Sequence, residues 1–205
     1  MKKIKSNIII LFCLTSYYSH AQYFTDWKLA KFENNTQISY RWVTSKNGKK
    51  AREMRTVFTA NAPISLIVNQ INDASNLKKW LKTIYMCSIE LHSPTQWETY
   101  TLYKLPWPLK SKNLVTKSEW IETETHSIVK TVNLPNSKPK TKNSNKIHSY
   151  SEEWKLIPLS NNKTEVIIKS ISYDKVKFPR ALTDPIIQNK MIASIELLKK
   201  QLLEL

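Results

Sequence analysis

Residues able to do chemistry are few in this sequence, and their spacing matches no common catalytic or metal-binding motif. His92, His126 and His148 lie far apart, and none is spaced from another histidine or from Cys87 as zinc ligands are. The sequence has no glycine-rich phosphate loop, no nucleophile elbow and no HExxH motif. This pattern predicts neither a zinc site nor a phosphate-loop enzyme.

Cys87 is the only cysteine beyond the N-terminal segment, so we expect no internal disulfide. No neighbouring residue type in the sequence would activate its thiol. We therefore expect Cys87 to be a small buried hydrophobic residue rather than a nucleophile.

The N-terminal segment has the pattern of a secretory signal peptide. Lys2, Lys3 and Lys5 precede a short apolar run at 8–14, and Ser19-His20-Ala21 is typical of a cleavage site. We expect residues 1–21 to be removed near Ala21, leaving one domain at 22–205. The protein would then be exported, either to the periplasm or outside the cell.

The chain is strongly basic, with a formal net charge of +16. Such a charge favours nucleic acid, phospholipid headgroups or another polyanion as a partner, and a solvated lysine coat is the alternative. The seven tryptophans lie on or beside predicted core elements rather than in a basic strip, so we expect no nucleic-acid binding. Lysines of the segment 134–148 could contact an anionic membrane transiently, the alternative being a solvated loop; they are Lys138, Lys140, Lys142 and Lys146.

Most of the chain reads as antiparallel sheet. Ile38, Tyr40 and Trp42 alternate with polar residues, and Asn47-Gly48 predicts a tight hairpin returning over 51–60. Two short helices are expected after Pro63 and over 75–81. The sequence predicts further strands at 85–91, 97–103, 112–122, 127–134, 147–157 and 164–174, and a short opening helix at 26–34.

A long amphipathic helix closes the chain. Ile187, Met191, Ile195, Leu198 and Leu202 recur at helical spacing and form one apolar stripe. Asp184-Pro185 has the pattern of an N-cap followed by a first-turn proline, which predicts that the regular helix starts there, and Pro179 indicates an earlier turn that leads into it.

A proline-rich corner interrupts the sheet between two predicted strands. Pro106 and Pro108 flank Trp107, and proline cannot sit within a central ladder. The strand through Tyr103 should therefore end here, with the Trp107 indole packed over the sheet.

The residues around this corner resemble those of StAR-related lipid-transfer (START) domains. Tyr100, the Pro-Trp-Pro corner and the run into the next strand match that family in order, with Lys112-Asn113 where the family has Arg-Asp. Asp73 followed by Trp80, and the late hairpin "YSEEWKLIPLSNNKTEVIIKSISYD", match in order as well. The resemblance covers essentially all of residues 22–205.

This resemblance implies an α+β helix-grip fold, in which a curved antiparallel sheet wraps around a long C-terminal helix. It also implies one lipid or other hydrophobic small molecule in an internal cavity, no cofactor and no catalytic residue. We expect a monomeric carrier rather than an enzyme. The alternative is a helix-grip enzyme, cyclase-like or hydrolase-like, acting on a hydrophobic substrate.

Five residues are the candidate ligand contacts. Lys112 occupies the position of the family's cavity arginine and is expected to contact a polar or anionic headgroup, with a surface lysine as the alternative. Glu98 is expected to pair with Lys112, the alternative being an exposed side chain. Tyr100 and Trp97 should point to opposite faces, and we expect Tyr100 to line the cavity. Met191 and Ile195 should face the sheet, either at the ligand or in the core.

Overall fold

The computed structural model describes residues 23–104, 107, 110–135, 145–175 and 178–205. The predicted signal peptide, Pro106 and Pro108 lie outside the described residues. The described strands are β1 (Tyr23–Phe24), β2 (Lys28–Glu33), β3 (Thr36–Thr44), β4 (Lys50–Ala60), β5 (Ile84–Ser93), β6 (Gln96–Tyr103), β7 (Lys112–Glu122), β8 (Ser127–Asn133), β9 (Asn145–Lys146), β10 (Ser151–Ser160) and β11 (Lys163–Ile171). The described helices are α1 (Ile64–Ile71), α2 (Ala74–Trp80) and α3 (Arg180–Leu203).

The described strands form one large sheet in the order β1-β3-β4-β11-β10-β8-β7-β6-β5. Strand β2 pairs with β3 beside β1, and the short β9 pairs with β7. Every pairing is antiparallel except that of β9 with β7. The predicted α+β architecture, a large antiparallel sheet with a long C-terminal helix, is confirmed.

The hairpin predicted at Asn47-Gly48 joins β3 to β4, with Gly48 at a φ of 78°. The predicted opening helix at 26–34 is wrong, because this segment contains strand β2. Asn34 and Asn35 have φ values of 50° and 53° and turn β2 back onto β3. Asparagine tolerates this left-handed conformation, and two such residues form the tight turn that matches the twist of paired strands.

The two short helices pack against each other at one end of the sheet. The Asp73 side chain caps α2 by accepting the backbone N–H of Asn76 at 2.8 Å. The Trp80 indole donates to the carbonyl oxygen of Gln70 at 3.0 Å and so joins the end of α2 to α1. Trp80 also meets Trp154 of β10 edge to face, with 6.1 Å between ring centroids.

Helix α3 begins at Arg180, earlier than the predicted start at Asp184-Pro185, and Pro185 lies inside it. The N-cap is Pro179, where the sequence indicated an earlier turn, so Asp184 lies inside the helix and its carboxylate binds Arg52 of β4. The two side chains form a bidentate pair with nitrogen–oxygen distances of 2.7 and 2.5 Å. This tertiary contact holds a helical turn that proline disfavours.

The core lies at the C-terminal half of α3. Ile195, Leu198 and Leu202 are buried and pack with side chains of α1, α2 and the central strands. Cys87 is a free and buried cysteine of this region, as predicted. In the described part of the chain no helix is long and apolar enough to span a membrane.

Trp107 does not pack over the sheet as predicted. Its side chain is 89% exposed. The Trp107 indole therefore lies in solvent rather than against the strands.

Candidate functional site

An inner cavity of about 110 Å³ lies between the sheet and the helices. Side chains alternate along a strand, so every second residue of β6, β7, β8 and β10 points into this space. Helices α1, α2 and α3 close it with apolar side chains, among them Met191. The lining consists of Ile71, Leu77, Trp80, Leu81, Trp97, Thr99, Thr101, Tyr103, Leu114, Thr116, Ser118, Val129, Thr131, Tyr150, Glu152, Trp154, Ile168 and Met191.

The sheet side of the inner cavity is partly polar. Three threonines and a serine on β6 and β7 share it with the aromatic side chains. The Ser118 hydroxyl lies 2.8 Å from that of Thr131 on β8, so these two groups satisfy each other. A ligand here would meet hydroxyl groups along one side and apolar helix residues along the other.

Glu152 is the one acidic side chain among the described residues of this lining. Its two carboxylate oxygens accept from the Tyr150 hydroxyl at 2.6 Å and from the Trp154 indole at 2.8 Å. No cationic side chain in the described part of the chain forms an ion pair with it. Burial raises the pKa of Glu152 above its usual value, although both hydrogen bonds oppose the shift.

Two tyrosines beside Glu152 are held neutral. Burial, reinforced by the nearby carboxylate, raises the pKa of Tyr150 and of Tyr103. The cluster of Glu152, Tyr150 and Tyr103 thus adds a carboxyl group and two phenol hydroxyls to the polar part of the inner cavity.

Sequence reasoning missed Glu152, although a signal was present. Trp154 and Leu156 are core-forming residues, and strand alternation puts Glu152 and Tyr150 on the same face. The two adjacent acids in "YSEEW" instead suggest a solvated strand. Only Glu153, on the opposite face, fits that description, since its carboxylate lies 3.6 Å from Lys169.

An outer cavity of about 510 Å³ adjoins the inner one, and Tyr150 lines both. It lies between β3, β4, β7, β11 and the first turns of α3. Its size falls within the range of small-molecule sites, roughly 300–1,000 Å³. The lining consists of Tyr40, Arg52, Met54, Lys110, Lys112, Asn145, Lys146, His148, Tyr150, Ser170, Ile171, Ser172, Asp174, Lys175, Phe178, Arg180, Thr183 and Ile187.

Positive charge dominates the outer cavity. Arg52 is neutralised by Asp184 and lies over the Tyr40 ring at 3.8 Å from its centroid. Burial, together with the charge of Arg52, lowers the pKa of Arg180. Of the described lining residues, one is acidic and six are cationic, namely Arg52, Lys110, Lys112, Lys146, Lys175 and Arg180.

Two of the five predicted contacts line a cavity. Lys112 lies in the outer cavity, at the start of β7 and opposite Tyr103 in the β6 register. Met191 lines the inner cavity, whereas Ile195, one turn further along α3, is fully buried in the core cluster. The apolar stripe of α3 therefore serves the cavities at its N-terminal half and the core at its C-terminal half.

The structure places Tyr100 and Glu98 away from both cavities. Trp97 lines the inner cavity, and Tyr100, three residues along the same strand, is buried on the other face. Glu98 also points to that face, where its carboxylate lies 3.5 Å from His92. The expected pair of Glu98 with Lys112 is absent from the described residues, because the two side chains are on opposite faces of the sheet.

The described residues contain no group of three or more histidine, cysteine, aspartate or glutamate side chains that could hold a metal ion. Burial raises the pKa of the Cys87 thiol, which keeps it in the unreactive protonated form. The described linings offer hydrogen bonding, ionic contact, apolar packing and, at Glu152, a carboxyl group with a raised pKa.

The fold is the START-like helix-grip fold. A STAR-related lipid transfer protein from Xanthomonas axonopodis matches it with a TM-score of 0.73 and 19% identity, over 86% of this chain and 98% of that chain. Human StAR-related lipid transfer protein 5 matches with a TM-score of 0.70 and 13% identity, over 87% of this chain and 86% of that chain.

An enzyme shares the architecture more distantly. The Zhui aromatase/cyclase from Streptomyces has a TM-score of 0.54 and 9% identity, over 74% of this chain and 93% of that chain. The sequence matches no protein-family model and no curated protein. At these identities the matches define the fold, and the chemistry of the site has to be argued from this chain's own residues.

Proposed function

We propose that this protein is an exported carrier that holds one lipid or other hydrophobic small molecule between the sheet and α3. The observation that carries the proposal is the pair of cavities lined by the sheet and α3, which share Tyr150 as a lining residue. The START-like fold supports it, since two solved structures with this fold are described as lipid transfer proteins.

The dimensions of the cavities suggest how such a ligand would be arranged. The outer cavity, about 510 Å³, takes most of the molecule. The inner cavity, about 110 Å³, has room for the end of a chain, being roughly the volume of three or four liquid water molecules. Each methylene group moved from water into this interior contributes about 0.8 kcal/mol before the cost of ordering the ligand.

Named side chains fit separate parts of the ligand. Lys112 contacts the polar headgroup in the outer cavity. Ile187 and Met191 of α3 contact successive parts of the apolar chain, because they lie one turn apart along the helix and line the outer and the inner cavity respectively. Trp97 replaces Tyr100 as the aromatic contact from β6.

An enzyme is the second candidate, and one observation favours it. Glu152 and Tyr150 form a partly buried acid–hydroxyl pair with raised pKa values beside the space where a substrate would lie. A solved structure with a similar fold is described as an aromatase/cyclase. Against it, the described residues offer no activated nucleophile and no metal cluster.

Solvent extraction of purified protein followed by mass spectrometry tests both candidates. A carrier is expected to yield one hydrophobic compound at about one molecule per chain, recovered unchanged after incubation with the protein. An enzyme would convert the recovered compound or its precursor into a different product. Repeated extraction with no bound compound, from protein expressed in several hosts, contradicts the carrier proposal.

A pair of variants on α3 provides the control. Ile187→Glu puts a carboxylate in the outer cavity and is expected to reduce the extracted compound at least tenfold. Leu203→Glu changes an exposed residue of the same helix that lines neither cavity, and it should leave the yield unchanged. Equal yields from both variants would mean that the ligand is held elsewhere.

A further inference from the structure

The outer cavity has an excess of positive charge that the fold itself does not neutralise. Asp184 satisfies Arg52, and Asp174 accepts the backbone N–H of His148 at 3.0 Å. Lys110, Lys112 and Lys175 form no ion pair within the described part of the chain. Like charges that converge on one concave surface repel one another, and an anion between them relieves that repulsion.

The cations come from several separate elements and surround one space. Lys112 starts β7, Arg52 lies on β4, Lys175 follows β11 and Arg180 starts α3. The Arg180 guanidinium lies over the Trp42 ring at 5.4 Å from its centroid, a cation–π contact that helps to hold this lining residue in place. Lys112 and Arg180 are partly buried, whereas Lys175 is exposed. Positive charge contributed to one cavity by four separate parts of the chain favours an acidic group as the partner.

Apolar side chains continue from this charged region toward the interior. Met54, Phe178 and Ile187 share the outer cavity with the cations, and Tyr150 leads to the inner cavity. A molecule with an acidic group at one end and an apolar chain at the other therefore fits the arrangement, its acid in the outer cavity.

Glu152 fixes the direction in which such a molecule enters. Its carboxyl group sits in the inner cavity, hydrogen-bonded to Tyr150 at the junction of the two spaces. An acidic group carried past Tyr150 would leave the cations and approach a second acid. The apolar end is free of this penalty and enters first.

We propose that the ligand is an anionic amphiphile with a carboxylate or phosphate group, bound chain-first with its acid held by Lys110, Lys112, Lys175 and Arg180. This inference rests on the proposed carrier function and specifies the class of its ligand.

Isothermal titration of the purified protein with decanoate, decyl phosphate and decanol tests the inference, because the three probes share one chain and differ in the headgroup. Both acids are expected to bind at least tenfold more tightly than decanol. Tighter binding of decyl phosphate than of decanoate would assign the natural headgroup to phosphate, and the reverse order to carboxylate; either order supports the proposal.

Lys112→Gln should weaken both acids about tenfold and leave decanol unchanged. Lys117→Gln is the matched control, because Lys117 lies on the same strand, is exposed and lines neither cavity. Decanol binding as tightly as the acids would overturn this inference and leave the carrier function intact. Absence of binding by all three probes would count against the carrier function, and the inference would fall with it.

Discussion

At the scale of single residues, Glu152 is the least expected feature of the interior. A carboxylate that is partly removed from water is costly without a cation, and here two hydrogen-bond donors, Tyr150 and Trp154, are the compensation that the described residues supply. At position 152, beside the core residue Trp154, we expect an apolar side chain to stabilise the fold more than this carboxylate does. Such a compromise is typical of a residue kept for binding or chemistry.

Glu152 should make the stability of the protein depend on pH. Its pKa is raised by folding, so the folded chain binds more protons than the unfolded chain at pH values above the usual 4.5. Stability from this group is therefore present in acid and is lost as the pH rises through the raised pKa. We expect Glu152→Gln to melt close to wild type in acid and a few degrees above it at neutral pH, measured by differential scanning calorimetry.

Glu153→Gln is the control for this pH profile. Glu153 neighbours Glu152 in sequence but faces Lys169 on the other side of the sheet. The Glu153→Gln variant should not gain melting temperature relative to wild type as the pH rises to neutral, unlike Glu152→Gln. A constant offset between Glu152→Gln and wild type at every pH would show that Glu152 titrates alike in the folded and unfolded chain.

At the scale of elements, the two halves of α3 have different structural roles, core packing and cavity lining. Its C-terminal half packs into the core through Ile195, Leu198 and Leu202. Its N-terminal half covers the cavities and includes a proline, so it depends on the tie between Asp184 and Arg52. Both side chains of that pair are mostly buried, with 14% and 17% of their surface exposed.

Asp184→Asn should therefore destabilise the protein by about 2 kcal/mol, because it leaves Arg52 without a counter-charge near Arg180. Urea denaturation monitored by circular dichroism measures this change. Glu204→Gln removes an exposed pair with Lys200 on the same helix and should cost less than about 0.5 kcal/mol. Equal costs for the two variants would mean that the ion pair does not hold the start of α3.

The success of sequence reasoning also varied by element. Local signals were sufficient for the hairpin at Gly48, for α2 after Asp73 and for the long C-terminal helix, since turn residues, caps and apolar periodicity act within a few positions. The opening strand and the helical turn at Asp184 and Pro185 depend on contacts with distant residues. Propensity cannot reveal such contacts, and Arg52 lies 132 residues from its partner.

The same limit applied to the site. Alternation could separate Trp97 from Tyr100, but it could not decide which face would be covered by helices. Lys112 and Met191 were found at cavity linings through the family resemblance and the helical stripe. The convergence of charges from β4, β7 and α3 is a tertiary property, so the sequence could not predict it.

At the scale of the whole molecule, positive charge extends well beyond the outer cavity: the full chain has a net charge of +16, and removal of Lys2, Lys3 and Lys5 with the predicted signal peptide (16 − 3) leaves +13. Lysines of the segment 134–148 add to it, although residues 136–144 lie outside the described part of the chain. We propose that this charge brings the protein into transient contact with anionic membranes, from which a carrier would collect or to which it would deliver its ligand.

Sedimentation with phospholipid vesicles tests this contact. We expect binding to vesicles rich in phosphatidylserine at low salt, with a loss of at least tenfold at high salt, and no binding to phosphatidylcholine alone. Replacing Lys138, Lys140 and Lys142 by serine should weaken binding more than replacing the exposed hairpin lysines Lys46, Lys49 and Lys50. Binding that resists salt, or equal effects of the two triple variants, would contradict the proposal.

The three indoles that surround the inner cavity have an optical consequence. Trp80, Trp97 and Trp154 all border the space that the end of the ligand would fill, and two of them touch each other edge to face. Indole emission shifts in colour and intensity when water beside the ring is replaced by hydrocarbon. Intrinsic tryptophan fluorescence should therefore report in solution whether the inner cavity is occupied, with no attached dye.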